Sequence, residues 1–285
     1  MRLSQASNLC ILPDNKEITT MAKIKITTFG SMGWIPVNNR HTCCYCLEHK
    51  DSLILLDAGT GVARLGEAKY SHLLEDYEKI YIILSHYHLD HLAGLIYLPL
   101  FLKGKDVHIA GPGKPFYNAG VKEILSTLIS PPYFSHPIGE FHMDIHFHDL
   151  GTGPAVIDGL ALETALQEHS EPTLGIKVED SVCYCTDTAC LDSTIAFAKG
   201  CKVLMHESWF DGSDYRKLSQ VAASDPAAQR ALSIHSHVEW VANAALEAEV
   251  GRLMLIHLNP SYDEDRLEAM ERQARMIFPK TKLAE

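Results

Sequence analysis

Seven consecutive residues, Ser85-His86-Tyr87-His88-Leu89-Asp90-His91, constrain this chain more than any other stretch. They follow an apolar, β-branched run at 80–84 that reads as a buried strand, and they precede an apolar stretch that reads as a helix. Their side chains therefore project from a strand end. Imidazoles at i and i+2 on such a turn face one point, while Asp90 and His91 face a second point beside it. Two nitrogen- and oxygen-rich sites a few Å apart suit zinc or a similar divalent ion. Packing alone rarely demands three His and one Asp within six residues, because buried, unpaired imidazoles and carboxylates are costly.

Such a centre needs a core around it. The chain has 285 residues, 46% hydrophobic and 21% charged, enough to bury a sizeable core and unlike a disordered tail. Lys and Arg number 25 against 36 Asp and Glu, a formal charge of −11. That balance argues against a stable nucleic-acid complex held by phosphate neutralisation. No run approaches the ~18 apolar residues of a membrane span, and Leu9-Cys10-Ile11-Leu12 is too short for a secretory signal. The eight cysteines fall mostly inside apolar or alternating segments. Cys43-Cys44-Tyr45-Cys46 is too tight for a zinc knuckle, so they read as buried thiols of a cytoplasmic protein.

Residues 1–20 are polar and without clear period, and are expected to be a flexible leader, with a single domain over 21–285. Strand-like alternation begins at 23–29. A strand at Ser52–Leu56 ends in Asp57-Ala58-Gly59, and helices are expected over 62–75, 117–129, 190–199, 236–248 and 263–277. Short strands are expected at 107–110, 202–205 and 252–256. Alternation of this kind in both halves points to an α/β protein with two mixed β-sheets packed face to face and helices outside, a four-layer αββα sandwich. A second histidine-rich stretch, His142 to Asp149, alternates with Met, Ile and Phe as one wet face of a strand would. It reads as an exposed strand face, not a ligand set.

The run His86-x-His88-x-Asp90-His91 after a strand resembles the signature of the metallo-β-lactamase superfamily. Gly30 to Gly33, Leu56-Asp57-Ala58-Gly59, Gln167-Glu168-His169, Tyr184-Cys185-Thr186-Asp187 and Leu255-Ile256-His257 resemble its other motifs, in order over about 24–260. The resemblance implies the fold above and two divalent metal ions, zinc first with manganese or iron as alternatives. His86, His88 and His169 would hold the first metal. Asp90, His91 and His257 would hold the second, Asp187 would bridge them, and Asp90 also counts among the catalytic residues. Two negative charges against four positive ones leave an electropositive centre, which acidifies a bridging water toward pKa ~7 and accepts an anionic substrate. Asp57 is then an acceptor orienting a ligand imidazole, or else a turn-forming Asp.

Leu204-Met205-His206-Glu207-Ser208 and Ile234-His235-Ser236-His237 resemble paired elements of the ribonuclease Z-like phosphodiesterase branch. There, a histidine held by a glutamate protonates the leaving oxygen. Glu207 and His235 occupy those places, although His237 stands where the family has threonine and leaves open which ring acts. A phosphodiester's alkoxide leaving group benefits from such a donor. The resemblance also implies a basic, glycine-rich arm in enzymes that grip tRNA, and 101–125 is only mildly basic. A small or cyclic phosphodiester is therefore the expected substrate. A carboxylic-ester, lactone or thioester hydrolase, and a tRNA 3′-processing endonuclease, are the alternatives. The polar stretch from Trp209 to Ser233, with Arg216, Lys217 and Arg230, is either a pocket wall supplying a cation to phosphate or a solvated loop. A homodimer is compatible with the resemblance, but no motif marks an interface.

Overall fold

The computed structural model describes residues 24–285, so the leader expected at 1–20 lies outside the described residues. The first half of the chain runs β1 (Lys25–Gly30), β2 (Cys44–His49), β3 (Ser52–Leu56), α1 (Ser71–Asp76), β4 (Lys79–Ile83), α2 (Leu89–Leu92), α3 (Leu98–Phe101), β5 (Asp106–Pro112), α4 (Val121–Leu128) and β6 (Asp144–Leu150). The second half runs β7 (Gly153–Ile157), β8 (Leu160–Gln167), β9 (Thr173–Val178), β10 (Val182–Cys185), α5 (Asp192–Ala198), β11 (Val203–Glu207), α6 (Gly212–Val221), α7 (Pro226–Ile234), α8 (Val238–Glu247), β12 (Leu253–Ile256), α9 (Glu264–Ile277) and β13 (Thr281–Leu283).

Each half lays its strands side by side in sequence order, β1 to β6 in one sheet and β7 to β13 in the other. Short connections give antiparallel pairs at the start of each sheet. Longer, helix-bearing connections give the parallel pairs β3–β4–β5–β6 and β10–β11–β12–β13. The strands' period of two then sorts side chains into layers. Tyr45, Leu47, Ile54, Leu56, Tyr81 and Ile83 meet Leu174, Ile176, Tyr184, Val203 and Met205 between the sheets. Their sequence neighbours Cys44, Cys46, Leu53, Leu55, Ile80 and Ile82 pack outward under the helices of the first half. Cys183, Cys185, Leu204 and Leu255 pack outward under α5, α8 and α9. Four layers result, αββα, as the alternation of the sequence suggested.

Two local expectations are corrected. The helix expected over 62–75 is mostly tight 3₁₀ turns over 60–70, with α1 only at its end. Gly61 explains why: a Cβ there would lie 2.8 Å from the Gly30 amide and the Cys44 side chain, so this segment is pressed onto the sheet. Conversely, the stretch 209–233 forms α6 and α7. Asp211 and Asp225 cap these helices by accepting the amides of Asp214 and of Ala227 and Ala228, and Pro226 opens α7. Among the described residues no helix is long and apolar enough to cross a membrane.

Candidate metal centre

Strands β3, β4, β8, β10, β11 and β12 all deliver their carboxyl ends to one edge of the sandwich, and each carries a polar side chain there. Asp57 follows β3, Ser85 and His86 follow β4, His169 follows β8 and Asp187 follows β10. Glu207 ends β11 and His257 follows β12. Asp57, Asp187 and His257 take positive φ values of 57°, 46° and 48°, a conformation uncommon outside glycine and concentrated at functional sites. Gly33 lies opposite. A Cβ there would stand 2.5 Å from the His257 ring, so only glycine lets the β1–β2 loop close over that imidazole.

The structure brings all seven expected ligands together in two groups. In the first, His86 Nε2 lies 2.9 Å from His88 Nδ1. His169 Nε2 lies 3.4 Å from His88 Nδ1 and 3.4 Å from Asp187 Oδ1. In the second, the other oxygen of Asp187, Oδ2, lies 3.0 Å from His91 Nε2 and 3.2 Å from His257 Nε2. Asp90 Oδ2 completes that group at 3.3 Å from His91 Nε2 and 3.5 Å from His257 Nε2. A tetrahedral shell with ligands ~2.0–2.1 Å from an ion has donor–donor edges of about 3.3–3.4 Å, close to these spacings. His91 Nε2 and His257 Nε2 are buried with no aligned hydrogen bond, which is what donors aimed at a common point show. The residues therefore fit a pair of divalent cations, with Asp187 facing both.

The far side of most of these rings is tied down. His86 Nδ1 lies 3.0 Å from Ser85 Oγ, which itself donates to Asp57. His169 Nδ1 donates to the Ile234 carbonyl at 3.2 Å. His91 Nδ1 donates to Asp57 Oδ2 at 2.6 Å. Each contact leaves the inward nitrogen with its lone pair, as a metal ligand requires. Asp57 is fully buried and also accepts from the Ser85 amide at 2.7 Å and the Tyr184 hydroxyl at 2.6 Å. It orients the His91 ring as well as forming the turn.

Charge in this edge is arranged for cations. Burial alone would lower His91 and His257. The carboxylates around them, Asp90, Asp187 and Asp57 for His91 and chiefly Asp187 for His257, outweigh it and hold both above the usual histidine range. His86, desolvated and beside other imidazoles, is held well below that range. The Cys43 thiol packs near His91 and His257, and burial pushes it up to about 11, so it stays a neutral wall.

Beside this cluster, Glu207 Oε2 accepts from His235 Nδ1 at 3.0 Å, and Oε1 accepts the Ser236 amide at 2.6 Å. The same Oε2 lies 3.3 Å from His257 Nδ1, out of hydrogen-bonding alignment, so one carboxylate touches both a ligand ring and His235. Burial opposes ionisation of Glu207, but His235 and His257 outweigh it and bring its pKa down to about 2. Trp209 stacks on the His235 ring at 4.4 Å and on His257 at 5.3 Å. His237 points elsewhere: it caps α8 and stacks on Tyr215 at 3.7 Å.

A cavity of ≈ 530 Å³ opens onto both groups, lined by His88, Asp90, His169, Asp187, His235 and His257, with Trp34, Ile35, Leu89, Trp209 and Ile234 around them. The Trp34 amide donates to Asp90 Oδ2 at 2.7 Å, although the Trp34 side chain is 70% exposed. Trp34 was not anticipated as a site residue, and Trp209 was anticipated only as the start of a polar stretch expected to supply a cation. The cation anticipated from 209–233 is not at the cavity. Arg216 is paired with Glu239 and Lys217 with Asp214, while Arg230 is exposed and does not line it. What the segment contributes to the wall is Trp209.

An αββα sandwich with seven His and Asp donors gathered at the carboxyl edge defines a metal-dependent hydrolase. Residues 53–258 match the family described as the beta-lactamase superfamily domain. Ribonuclease Z of Crocosphaera subtropica is 24% identical over 92% of this chain and 96% of its own length. The metallo-beta-lactamase fold protein YhfI of Bacillus subtilis superposes with TM-score 0.66 at 21% identity, covering 91% of this chain and 95% of that one. A diphosphatase of the PhnP family superposes with TM-score 0.62 at 15% identity, covering 92% and 95%. The chain belongs to the β-lactamase superfamily, on its ribonuclease Z-like branch.

Proposed function

We propose that the protein is a two-metal phosphodiesterase acting on a small or cyclic phosphodiester. The observation that carries this reading is the Glu207–His235 pair set beside the two donor groups on one cavity. Ester, lactone and thioester hydrolysis has no need of that pair. Names of relatives agree: one is a ribonuclease and another a diphosphatase, both denoting attack at phosphorus.

His86, His88, His169 and Asp187 would hold one ion, and Asp187, Asp90, His91 and His257 the other, with zinc the favoured metal. When bound, the ions supply Lewis acidity toward a phosphoryl oxygen and lower the pKa of nearby solvent. The chain's own residues do the rest. Glu207 stays ionised through the neutral range and accepts the Nδ1–H of His235, leaving Nε2 as the ring's donor atom. His235 then gives its proton to the departing alkoxide oxygen. Trp209 fixes the plane of that imidazole. Trp34, Ile35 and Leu89 offer apolar surface for the organic part of the substrate.

Among the described residues no Lys or Arg lines the cavity. A polyanion such as tRNA needs cations along its backbone, so this lining, with the net charge of −11, supports a substrate bearing one phosphodiester. The test is turnover by metal-replete protein of bis-p-nitrophenyl phosphate, cyclic nucleotides, a lactone, a thioester and a precursor tRNA. Phosphodiester turnover is expected, with kcat about 10²–10⁴-fold lower for His235→Ala at unchanged metal content. Faster turnover of lactone or thioester, or an H235A variant at full rate, rejects the reading. Preferred cleavage of the tRNA moves the assignment to RNA processing.

A further inference from the structure

At the opposite end of the sandwich, where β4, β5 and β6 begin, a second set of donors converges. Register places Lys79, Asp106 and Asp144 in one row across the three strands, and Tyr81, His108 and His146 in the next row inward. These side chains stand on the face that turns toward the other sheet, and Asp158, just after β7, reaches over them. His108 Nε2 lies 3.2 Å from Asp106 Oδ1 and 3.5 Å from Asp158 Oδ2. His146 Nε2 lies 3.4 Å from the same Asp106 oxygen and 3.4 Å from Asp144 Oδ2.

The His108 side chain is only 6% exposed, yet its Nε2 and the facing Asp106 Oδ1 are buried atoms without a hydrogen-bond partner. Two such atoms 3.2 Å apart would share an aligned hydrogen bond if a proton lay between them. They point at a common position instead, as His91 Nε2 and His257 Nε2 do at the metal centre of this same chain. The spacings again approach the about 3.3–3.4 Å donor edge of a tetrahedral shell.

The rest of the cluster sets this geometry. His108 Nδ1 lies 3.0 Å from His148 Nε2. With His148 accepting the Nδ1 proton across that contact, His108 Nε2 keeps its lone pair. Tyr81 and His146 stack against His108 at 5.1 and 4.8 Å and fix its plane. Asp106, Asp144 and Asp158 bring three carboxylates to this end, and the ammonium of Lys79 is paired with Asp158. With neutral imidazoles the cluster carries a surplus of negative charge.

We propose that Asp106, His108 and His146 form a separate site for a zinc-class divalent cation, with Asp158 as a fourth donor. Such an ion ties the β5–β6 edge of one sheet to the β7–β8 turn of the other. The stretch 142–149, whose pattern reads as a wet strand face, thus holds one ligand whose partners lie on the neighbouring strand.

The test uses the full chain. Wild type and His146→Gln are dialysed against buffered, low-micromolar free Zn2+ and their bound zinc is counted. His146 is half exposed, so its substitution leaves the core intact, and hydrolysis is expected to be unchanged. Wild type is expected to hold one zinc more per chain than H146Q, and Asp106→Asn is expected to lose the same equivalent. The difference is read whatever the catalytic centre holds, so it stands apart from the phosphodiesterase reading. Equal zinc in wild type and H146Q overturns the proposal and leaves His108 as a polar contact between Asp106 and Asp158.

Discussion

Asp57 shows how much one buried carboxylate can organise. Its two oxygens take the Ser85 amide, the Ser85 hydroxyl, the Tyr184 hydroxyl and His91 Nδ1. Strand β3 of one sheet and strand β10 of the other thereby fix the tautomer of one ligand ring. Asp57→Asn keeps the shape but replaces one acceptor oxygen with a donor amide. Metal affinity is expected to fall about 10–100-fold with secondary structure unchanged, measured by competition with a chromophoric chelator. An affinity equal to wild type would show that the contact orients nothing. This residue was legible in the sequence as part of a strand-end motif. Tyr184 was not, because nothing in its alternating apolar strand marks a hydroxyl that meets a carboxylate 127 positions away.

The junction between α7 and α8 divides two histidines that are two residues apart. His235 leaves α7 toward the cavity, whereas His237 accepts the Trp240 amide as the cap of α8 and stacks on Tyr215 of α6. Desolvation lowers the His237 pKa to about 4, with Glu239 opposing and Arg216 reinforcing it. Below the unfolded value of ~6.5 the unfolded chain binds a proton that the native state refuses, so this group costs stability as pH falls from ~6.5 toward 4. His237→Asn keeps a capping side chain and removes the titration. Its melting temperature is expected to fall less than that of wild type over that window. Parallel pH curves for the two proteins would contradict the assignment. The helices α6 and α7 had sequence signals, Asp211 and the Asp225-Pro226 step, but polar composition masked them. Only Gly212 of α6 and Ala228 of α7 are buried, so their core-facing side is thin.

Across the whole molecule the candidate metal centre draws its residues from both sheets. His86, His88, Asp90 and His91 come from the first sheet's connections, and His169, Asp187 and His257 from the second's. Ions held by both halves would stabilise the folded state by mass action, ~2.7 kcal/mol at a hundredfold excess over Kd, or roughly 5–10 °C in melting temperature for a chain of this size. Chelation is expected to lower the midpoint by that amount and zinc to restore it. An unmoved midpoint in calorimetry would show that the sheets close without the ions.

The amino-acid sequence alone determined the layers and offered the candidate ligands of the run 86–91, because a strand's period of two and a strand-end cluster of His and Asp are local features. Convergence is not local. The Glu207 contact to His257, the tryptophans that frame the cavity, the pairing of the α6 cations with Glu239 and Asp214, and the meeting of Asp106 and His108 with His146 each depend on packing between elements apart in the chain. Only the packing of two sheets decides which side chains share a point in space.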